Sequence, residues 1–549
     1  MTTAPTAPHT GTRAGAALGS GRTIGRRLDL LVGLALLGAA VARRVGAFPR
    51  DGLWYDDAWV ASGALHGGIT DLPMRGSAHP GFTLMLQGWD AVIGGDPWTL
   101  AVPAFVASVL GPPVVYLGLR HLGFARSVAG LMGAVLVVAD VHALYAGRVK
   151  SYTMDTLVVM VLAVALPALA ARRWTWRTAA VWVVVAVGAA SLSGYQLVAT
   201  ALAVGILILH SNRDRGIRVA AAGVQGILQG GMYLAARSTT DLDAVEAFME
   251  TTYDGHLSVY RNPITMAEQV LDHLGRIVDV YPGGPRWLLA PLGCLALAGL
   301  VAAALGWRRG RLAVTAQFLL LAMALAFVGG IFNRFPFGPS SRNWSAEMGS
   351  PGSRHSLWLV PVMVIGLAVC LDAARSWWRE RLHRRPVLDL ALPLVAVVVL
   401  AVSWSPQRGY MAAHSLSATR FAEDAAGPDD LIITIGPTAY LFASATDRPM
   451  VLEATPQNMV GFSPVGADGR VVAMGEWANV PYDASAVRRL ADGRDRVVIV
   501  ATLLGPGADG TAVAALTGAG FEVTDTFWEG NEVVKVLDRV DPSSSSPEG

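Results

Sequence analysis

Long apolar blocks, broken by short segments rich in Arg or aromatic residues, fill the first 404 positions of the chain. A bilayer core about 30 Å thick needs about 20 apolar residues at a helical rise of about 1.5 Å each. Eleven blocks qualify, near 28–47, 98–119, 125–144, 151–171, 177–193, 195–210, 216–235, 287–306, 312–331, 356–376 and 387–404. Lipid cannot satisfy backbone polar groups, so each block is predicted to be a helix. One more block, 80–94, is interrupted by Gln87 and Asp90. As a helix it would reach only about 22 Å, which assigns it to the outer membrane surface as a short amphipathic helix.

Charge orients the array. With 80–94 lying flat, six basic clusters share one side: Arg22/Arg26/Arg27, Arg120/Arg126, Arg172/Arg173/Arg177, Arg213/Arg215/Arg218, Arg308/Arg309/Arg311 and Arg379/Arg381/Arg384/Arg385. The positive-inside rule makes that side cytoplasmic, with the N-terminus inside and the C-terminus outside. Were 80–94 a span, the five later clusters would all move outside. Arg43 and Arg44, at the outer end of the first block, run against the rule.

Past residue 404 the pattern changes. Leu431–Gly436 and Arg496–Gly505 read as buried strands, and Ala512–Gly520 as a helix with a glycine stop. Phe521–Thr524 and Glu532–Leu537 read as two more strands. Strands alternating with helices predict a small α/β domain. The expected organisation is a disordered cytoplasmic tail at 1–26, a transmembrane domain at 27–404, an exoplasmic α/β domain at 405–541 and a disordered end at 542–549. The transmembrane domain carries an outer loop at 48–97. No convincing cleavage site follows the first apolar block, so it is read as an uncleaved helix.

Composition agrees with a membrane environment. The 549 residues are 53% hydrophobic and 15% charged, with mean hydropathy +0.44, against about a quarter charged in soluble chains. A net charge of +2 gives no sign of an acidic partner such as nucleic acid. Cys294 and Cys370 both lie in apolar blocks and read as small buried hydrophobes. The chain contains no CxxC, HExxH or P-loop pattern. Lys150 and Lys535 are its only lysines, an Arg bias that matches a GC-rich bacterial genome.

Candidate chemistry collects at the outer ends of the blocks. In Trp54-Tyr55-Asp56-Asp57-Ala58-Trp59 two adjacent acids stand in an aromatic setting just past the first block. Helical neighbours point about 100° apart, so one acid can act as general base while the other holds a metal ion or an acceptor hydroxyl. Like charge and partial burial should raise at least one of their pKa values. The competing reading is a solvated turn with Asp57 capping a helix that starts at Ala58. His79, before Pro80, stands at the mouth of the 80–94 helix, fit for a metal, an acceptor group or a structural bond. Between the third and fourth blocks, Arg148 and Lys150 can pair with a phosphate at headgroup depth or snorkel to lipid phosphates in general. Tyr152 and Asp155 follow at the start of the fourth block, and Asp140 precedes. Acids at membrane depth are costly and usually face a polar cavity. Arg354, ahead of the tenth block, is a further outward cation in a loop that also holds Arg334, Arg342 and Glu347. The Asn343-Trp344-Ser345 sequon is too short a match to weigh.

Tyr55-Asp56-Asp57-Ala58-Trp59, then His79-Pro80, then Arg148 to Asp155, in that order, resemble the pattern of GT-C superfamily glycosyltransferases of family 39. These are the enzymes akin to protein O-mannosyltransferases and the lipid A aminoarabinose transferase. The resemblance covers about residues 28–376. It implies an α-helical polytopic membrane protein of GT-C type whose donor is a sugar on a polyprenyl phosphate. It also implies an extracytoplasmic acceptor and inversion at the anomeric carbon. By position, Asp56 would be the general base, and Arg148, Lys150, Tyr152, Asp155, Arg354 and His79 would bind the donor. Asp57, His79 and Asp155 are candidates for a divalent cation. Asp57 stands where Glu is usual, Gly81 replaces a second Pro, and Lys150 replaces an Arg. Paired acids also resemble arabinofuranosyltransferases of the same superfamily, so hexosyl and pentosyl donors both stay open. The acceptor class (lipid, wall glycan or protein) stays open too. The rivals are a transporter or lipid-linked-sugar flippase and a non-catalytic envelope scaffold. A transporter usually shows inverted repeats and broken helices near mid-membrane, and the sequence shows neither clearly.

Overall fold

The computed structural model describes residues 14–540 except 69–78, 95, 212–213, 238–261, 281–284, 307–309, 333–336, 338–351, 382–386, 405–414, 456–459, 476–477 and 503–508. Arg334, Arg342, Glu347 and the Asn343 sequon, residues 1–13 of the N-terminal tail and the end 542–549 lie outside the described residues.

Every predicted span falls on a helix. The first, α1, runs Ala14–Arg44. It starts ahead of the expected boundary at residue 26. Then come α2 (Tyr55–His66), α3 (Pro80–Ile93), α4 (Val102–His121), α5 (Arg126–Val138), α6 (Asp140–Leu144), α7 (Tyr152–Ala171), α8 (Trp176–Leu192), α9 (Gly194–Leu209) and α10 (Arg215–Arg237). After them come α11 (Pro263–Ile277), α12 (Arg286–Ala304), α13 (Arg311–Ile331), a 3-10 turn at Gly352–Leu359, α14 (Val360–Arg381) and α15 (Val387–Val402).

The chain is a multi-pass membrane protein, but the expected eleven spans differ in kind. Among the described residues six helices are long and apolar enough to cross a membrane, or seven if the bent α5–α6 pair counts as one. Helices α8, α9 and α15 are apolar but only 17, 16 and 16 residues long. Helix α10 has 23 residues but carries buried Gln225 and Gln229. Gln225 accepts a bond from Trp182 Nε1 at 2.9 Å and Gln229 donates to Thr200 at 3.0 Å, so α10 docks on α8 and α9 by polar contacts. Helices α12 and α14 approach closely through small residues, as is common in lipid. A Cβ on Gly366 would lie 2.1 Å from Ala296 O.

The break between α5 and α6 bends the pair by 57°. It frees the carbonyls of Leu136 and Val137, and Arg44 takes both, donating at 2.8 Å to each. Its Nε donates to Ser108 Oγ at 2.8 Å and an Nη donates to His142 Nδ1 at 3.2 Å. Arg43 pairs with Asp140 at 3.6 Å. The exception to the positive-inside rule therefore has a structural cause: both arginines are buried and serve the broken helix, and Asp140 answers Arg43.

In the C-terminal domain, α16 (Ser415–Ala425) precedes β1 (Leu431–Ile435) and α17 (Thr438–Ala445). Then follow β2 (Met450–Thr455), β3 (Gly461–Gly466), β4 (Val471–Met474), α18 (Ala484–Ala491), β5 (Arg496–Thr502), α19 (Gly510–Thr517), β6 (Phe521–Glu529) and β7 (Glu532–Arg539). The sheet order is β4-β1-β5-β7-β6, with β2-β3 a separate antiparallel pair. Strands β4, β1 and β5 run parallel, and β7 is antiparallel to both of its neighbours, β5 and β6. Every residue of β1 is buried, as suits a central parallel strand covered on both faces. The strand at 521–524 extends to Glu529 because it pairs along the whole of β7.

Candidate active site

Helix α2 starts at Tyr55, two residues before Asp57, and Trp54 at its N-cap makes no side-chain cap bond. Both acids therefore lie in the first turn, and Asp57 does not cap a helix from Ala58. They are turned to different partners. Asp57, 1% exposed, accepts a bond from Arg148 Nε, and Val149 N–H donates to its other oxygen at 3.1 Å. Asp56, 15% exposed, has Lys150 Nζ at 3.6 Å and Arg148 Nη2 at 4.0 Å. Lys150 also stands over the Trp59 ring at 4.8 Å, and Arg148 over the Tyr145 ring at 5.4 Å.

The cations arrive by topology. The bent α5–α6 pair leads into a short 3-10 turn at Tyr145–Gly147, and Arg148 to Ser151 then connect to α7. Arg354, 8% exposed, enters from the 3-10 turn ahead of α14. Burial alone would raise the Asp56 carboxyl, but Lys150, Arg354 and Arg148 outweigh it and hold it below the ordinary carboxylate range. The expected rise of at least one pKa in the pair falls on Asp57, whose carboxyl burial holds above the ordinary range, and not on Asp56, which three cations surround. Three cations against two acids leave one surplus positive charge, the charge that a phosphodiester monoanion would balance.

A second polar knot adjoins the first. Tyr152 meets the His355 ring edge-on at 5.4 Å, and His355 Nδ1 shares a hydrogen bond with Tyr195 OH at 3.2 Å. Tyr195 stacks on Trp358 at 5.8 Å. Asp155 is fully buried at the start of α7, where Gln196 Nε2 donates to it at 2.7 Å and Ser151 Oγ at 3.2 Å. His79 occupies the N-cap position of α3 and lies against the start of α9, where a Cβ on Gly194 would come within 3.3 Å of its Nε2. Burial holds the His79 imidazole below its usual pKa. Gly81, where the family pattern has Pro, has a local reason: a Cβ there would fall 2.0 Å from Ser191 Oγ.

The structure therefore gathers Asp56, Asp57, Arg148, Lys150 and Arg354 into one electrostatic cluster. Tyr152 joins through His355, while Asp155 and His79 stand in the neighbouring knot around residues 193–196. The three metal candidates do not share a centre: Asp57 is bound to Arg148, Asp155 to Gln196, and His79 abuts Gly194. No group of three or more His, Cys, Asp or Glu suited to a metal ion occurs among the described residues. Sequence reasoning did not single out Tyr195, Gln196 or His355. The signal for the first two was a polar pair opening an apolar block right after Ser193.

No protein-family model matches the chain, and the search of curated proteins finds no relative. Among solved structures, ArnT from Cupriavidus metallidurans in the apo state matches with a TM-score of 0.50 and 12% identity. That match covers 94% of this chain and 98% of the other. ArnT from the same organism bound to undecaprenyl phosphate matches with a TM-score of 0.50, 13% identity and the same coverage. The Archaeoglobus fulgidus oligosaccharyltransferase in complex with zinc and sulfate overlaps less, with a TM-score of 0.45 at 14% identity, over 85% of this chain and 67% of that one. At these identities the likeness to ArnT is one of fold: the chain has a GT-C membrane fold.

Proposed function

We propose that this chain uses its GT-C fold as a membrane glycosyltransferase, moving a hexosyl or pentosyl unit from a polyprenyl-phosphate carrier to an extracytoplasmic acceptor. The observation that carries the reading is the cluster of Arg148, Lys150 and Arg354 around Asp56, with its one surplus positive charge. The positive-inside distribution supports placing this end of the bundle outside the plasma membrane of a bacterium. Sugar nucleotides do not reach that side, so the donor must be lipid-carried. One of the matching ArnT structures is bound to undecaprenyl phosphate, which supports the same ligand class here.

The chemistry is a single displacement. The acceptor hydroxyl oxygen attacks the anomeric carbon, whose bond to the phosphate oxygen breaks with inversion. Asp56 takes the hydroxyl proton. The electron pair leaves with the polyprenyl phosphate, whose growing charge Arg148, Lys150 and Arg354 stabilise in a site shielded from water. Donor binding also prepares the base. A phosphate that engages the three cations shares the field that depresses Asp56, so its carboxylate becomes more basic when the donor is in place. A divalent cation at Asp57, His79 or Asp155 stays within the proposal, with no step assigned to it.

The transporter reading draws on the broken α5–α6 helix, but the carbonyls freed by that break are taken by Arg44. Deletion of the coding sequence, followed by analysis of envelope glycolipids, wall glycans and glycoproteins, tests the proposal. One sugar should disappear, return with the wild-type chain and stay absent with Asp56→Ala at equal abundance. An unchanged sugar profile, or full restoration by Asp56→Ala, overturns it.

A further inference from the structure

The first turn of α2 carries the acids and is tied to the Arg148–Lys150 segment through Asp57, which accepts from Arg148 and from Val149 N–H. The opposite end is fixed by the C-terminal domain. Ser62 and His66 lie one turn apart on a common face. Ser62 Oγ shares its proton between Ala58 O of its own helix, at 2.7 Å, and Tyr440 O, at 3.0 Å, and His66 Nε2 donates to Ala443 O at 2.6 Å. Ala443 is in the last turn of α17, where carbonyls lack helical partners, so His66 meets an acceptor the helix leaves open. Around these bonds Ala58, Trp59, Ala61 and Ala64 share one apolar core with Tyr440, Leu441 and Phe462.

Helix α17 is itself held by the sheet. Gly436, at a φ of +59°, turns the chain out of β1. Thr438 Oγ1 accepts from Thr502 N–H at 2.8 Å, which ties the helix start to β5. Tyr440 OH donates to Phe462 O at 2.6 Å, which ties its middle to β3. The sheet, α17 and α2 thus form one mechanical line ending at Asp56.

We propose that Ser62 and His66 are positioning residues: through them α17 sets the axial position of α2 and thereby holds Asp56 against the cation cluster. The kinetic consequence rests on the transferase reading; the mechanical one does not. His66 lies ten residues from Asp56, about 15 Å along the axis, and a helix transmits axial slip undiminished. A misplacement of about 1 Å costs about 100-fold in rate.

The test uses the full-length protein in lipid nanodiscs, comparing Ser62→Ala/His66→Ala and single His66→Ala with His66→Gln, whose amide still donates to Ala443 O. Two quantities are read: amide exchange of residues 55–61, and turnover of the polyprenyl-linked sugar identified by envelope analysis. In the double variant, exchange of 57–61 should rise on the order of tenfold as the holding bonds are lost. Its kcat should fall about 10- to 100-fold. KM for the donor should stay within about twofold, because the cations sit on other elements. The single His66→Ala shows the same direction at smaller size, should the double variant fail to insert. His66→Gln should restore both quantities. Unchanged exchange, unchanged kcat, or a loss expressed in KM alone overturns the proposal. Should the wild-type protein turn over no sugar-lipid, the transferase reading falls, and exchange alone decides whether α17 holds α2.

Discussion

Lys150 Nζ stands 3.6 Å from Asp56 Oδ1, whereas the adjacent Asp57 is bound to Arg148 and to the Val149 N–H. Two neighbouring acids therefore have separate work. Asp57 neutralises a buried guanidinium; Asp56 keeps an exposed edge. Asp56→Asn should lower transfer by about 100-fold or more with unchanged yield of folded protein, the range of a lost general base. Asp57→Ala should strip the buried Arg148 of its hydrogen-bonded counter-charge and leave it Asp56 at 4.0 Å, at a cost of up to about 3–5 kcal/mol, and appear as lost monodisperse protein in size-exclusion chromatography. A stable Asp57→Ala beside an active Asp56→Asn would reverse the assignment.

The same pair makes a pH prediction. Burial works to raise the Asp56 carboxyl, and Lys150, then Arg354 and Arg148, more than reverse it. A base must be ionised to accept a proton, so activity is lost only as pH falls through the depressed pKa. The kcat/KM profile of the wild-type protein should therefore stay flat on its acid side down to below about pH 3.9, the ordinary Asp value. Lys150→Met removes the largest lowering cause and leaves burial in place, so the acid limb should move to higher pH. A limb that stays put or moves lower in Lys150→Met would refute this electrostatic account.

Much of this was legible in the chain, for a physical reason. A span must be continuous and apolar, so each block from 28 to 404 announced a helix, and Arg148, Lys150 and Asp56 stood out as charges at helix ends. What could not be read were partnerships between distant positions. Ser62 meets Tyr440 across 378 residues and Thr156 meets Leu357 across 201, and neither leaves a local pattern. Arg44 stood as an exception to the charge rule for a related reason: the carbonyls it serves belong to a broken helix 92 residues on. Nor could length alone show how α10 is held, since Gln225 and Gln229 find their use only once Trp182 and Thr200 are seen against them.

The 3-10 turn carrying Arg354 is pinned on two sides. Thr156 Oγ1 donates to Leu357 O at 2.8 Å, and His273 Nε2 hydrogen-bonds Ser356 Oγ at 2.8 Å. His273 comes from α11, in the stretch between the apolar blocks 216–235 and 287–306, which gives that stretch a part in the site. Loss of one buried bond of about 1 kcal/mol should let Arg354 drift from the donor phosphate. His273→Ala should thus raise KM for the sugar-lipid about fivefold, with a smaller change in kcat. Initial-rate kinetics in nanodiscs would show it, and an unaltered KM would mean that Thr156 alone fixes the turn.

Arg44 has a consequence for the whole site, because the bent α5–α6 pair delivers Arg148 and Lys150. Its guanidinium reaches Leu136 O and Val137 O together, a fork that an ammonium cannot reproduce. Arg44→Leu would leave both carbonyls buried in an apolar surround, at about 1–3 kcal/mol each. Against a typical total stability of about 5–15 kcal/mol, that is a large share. Thermal unfolding in detergent should show a lowered midpoint for Arg44→Leu, with Arg44→Lys in between because it can satisfy one carbonyl. A wild-type midpoint for Arg44→Leu would mean that the break relaxes into a continuous helix without cost. Arg148 would then move with it, so transfer should fail even though the protein stays folded.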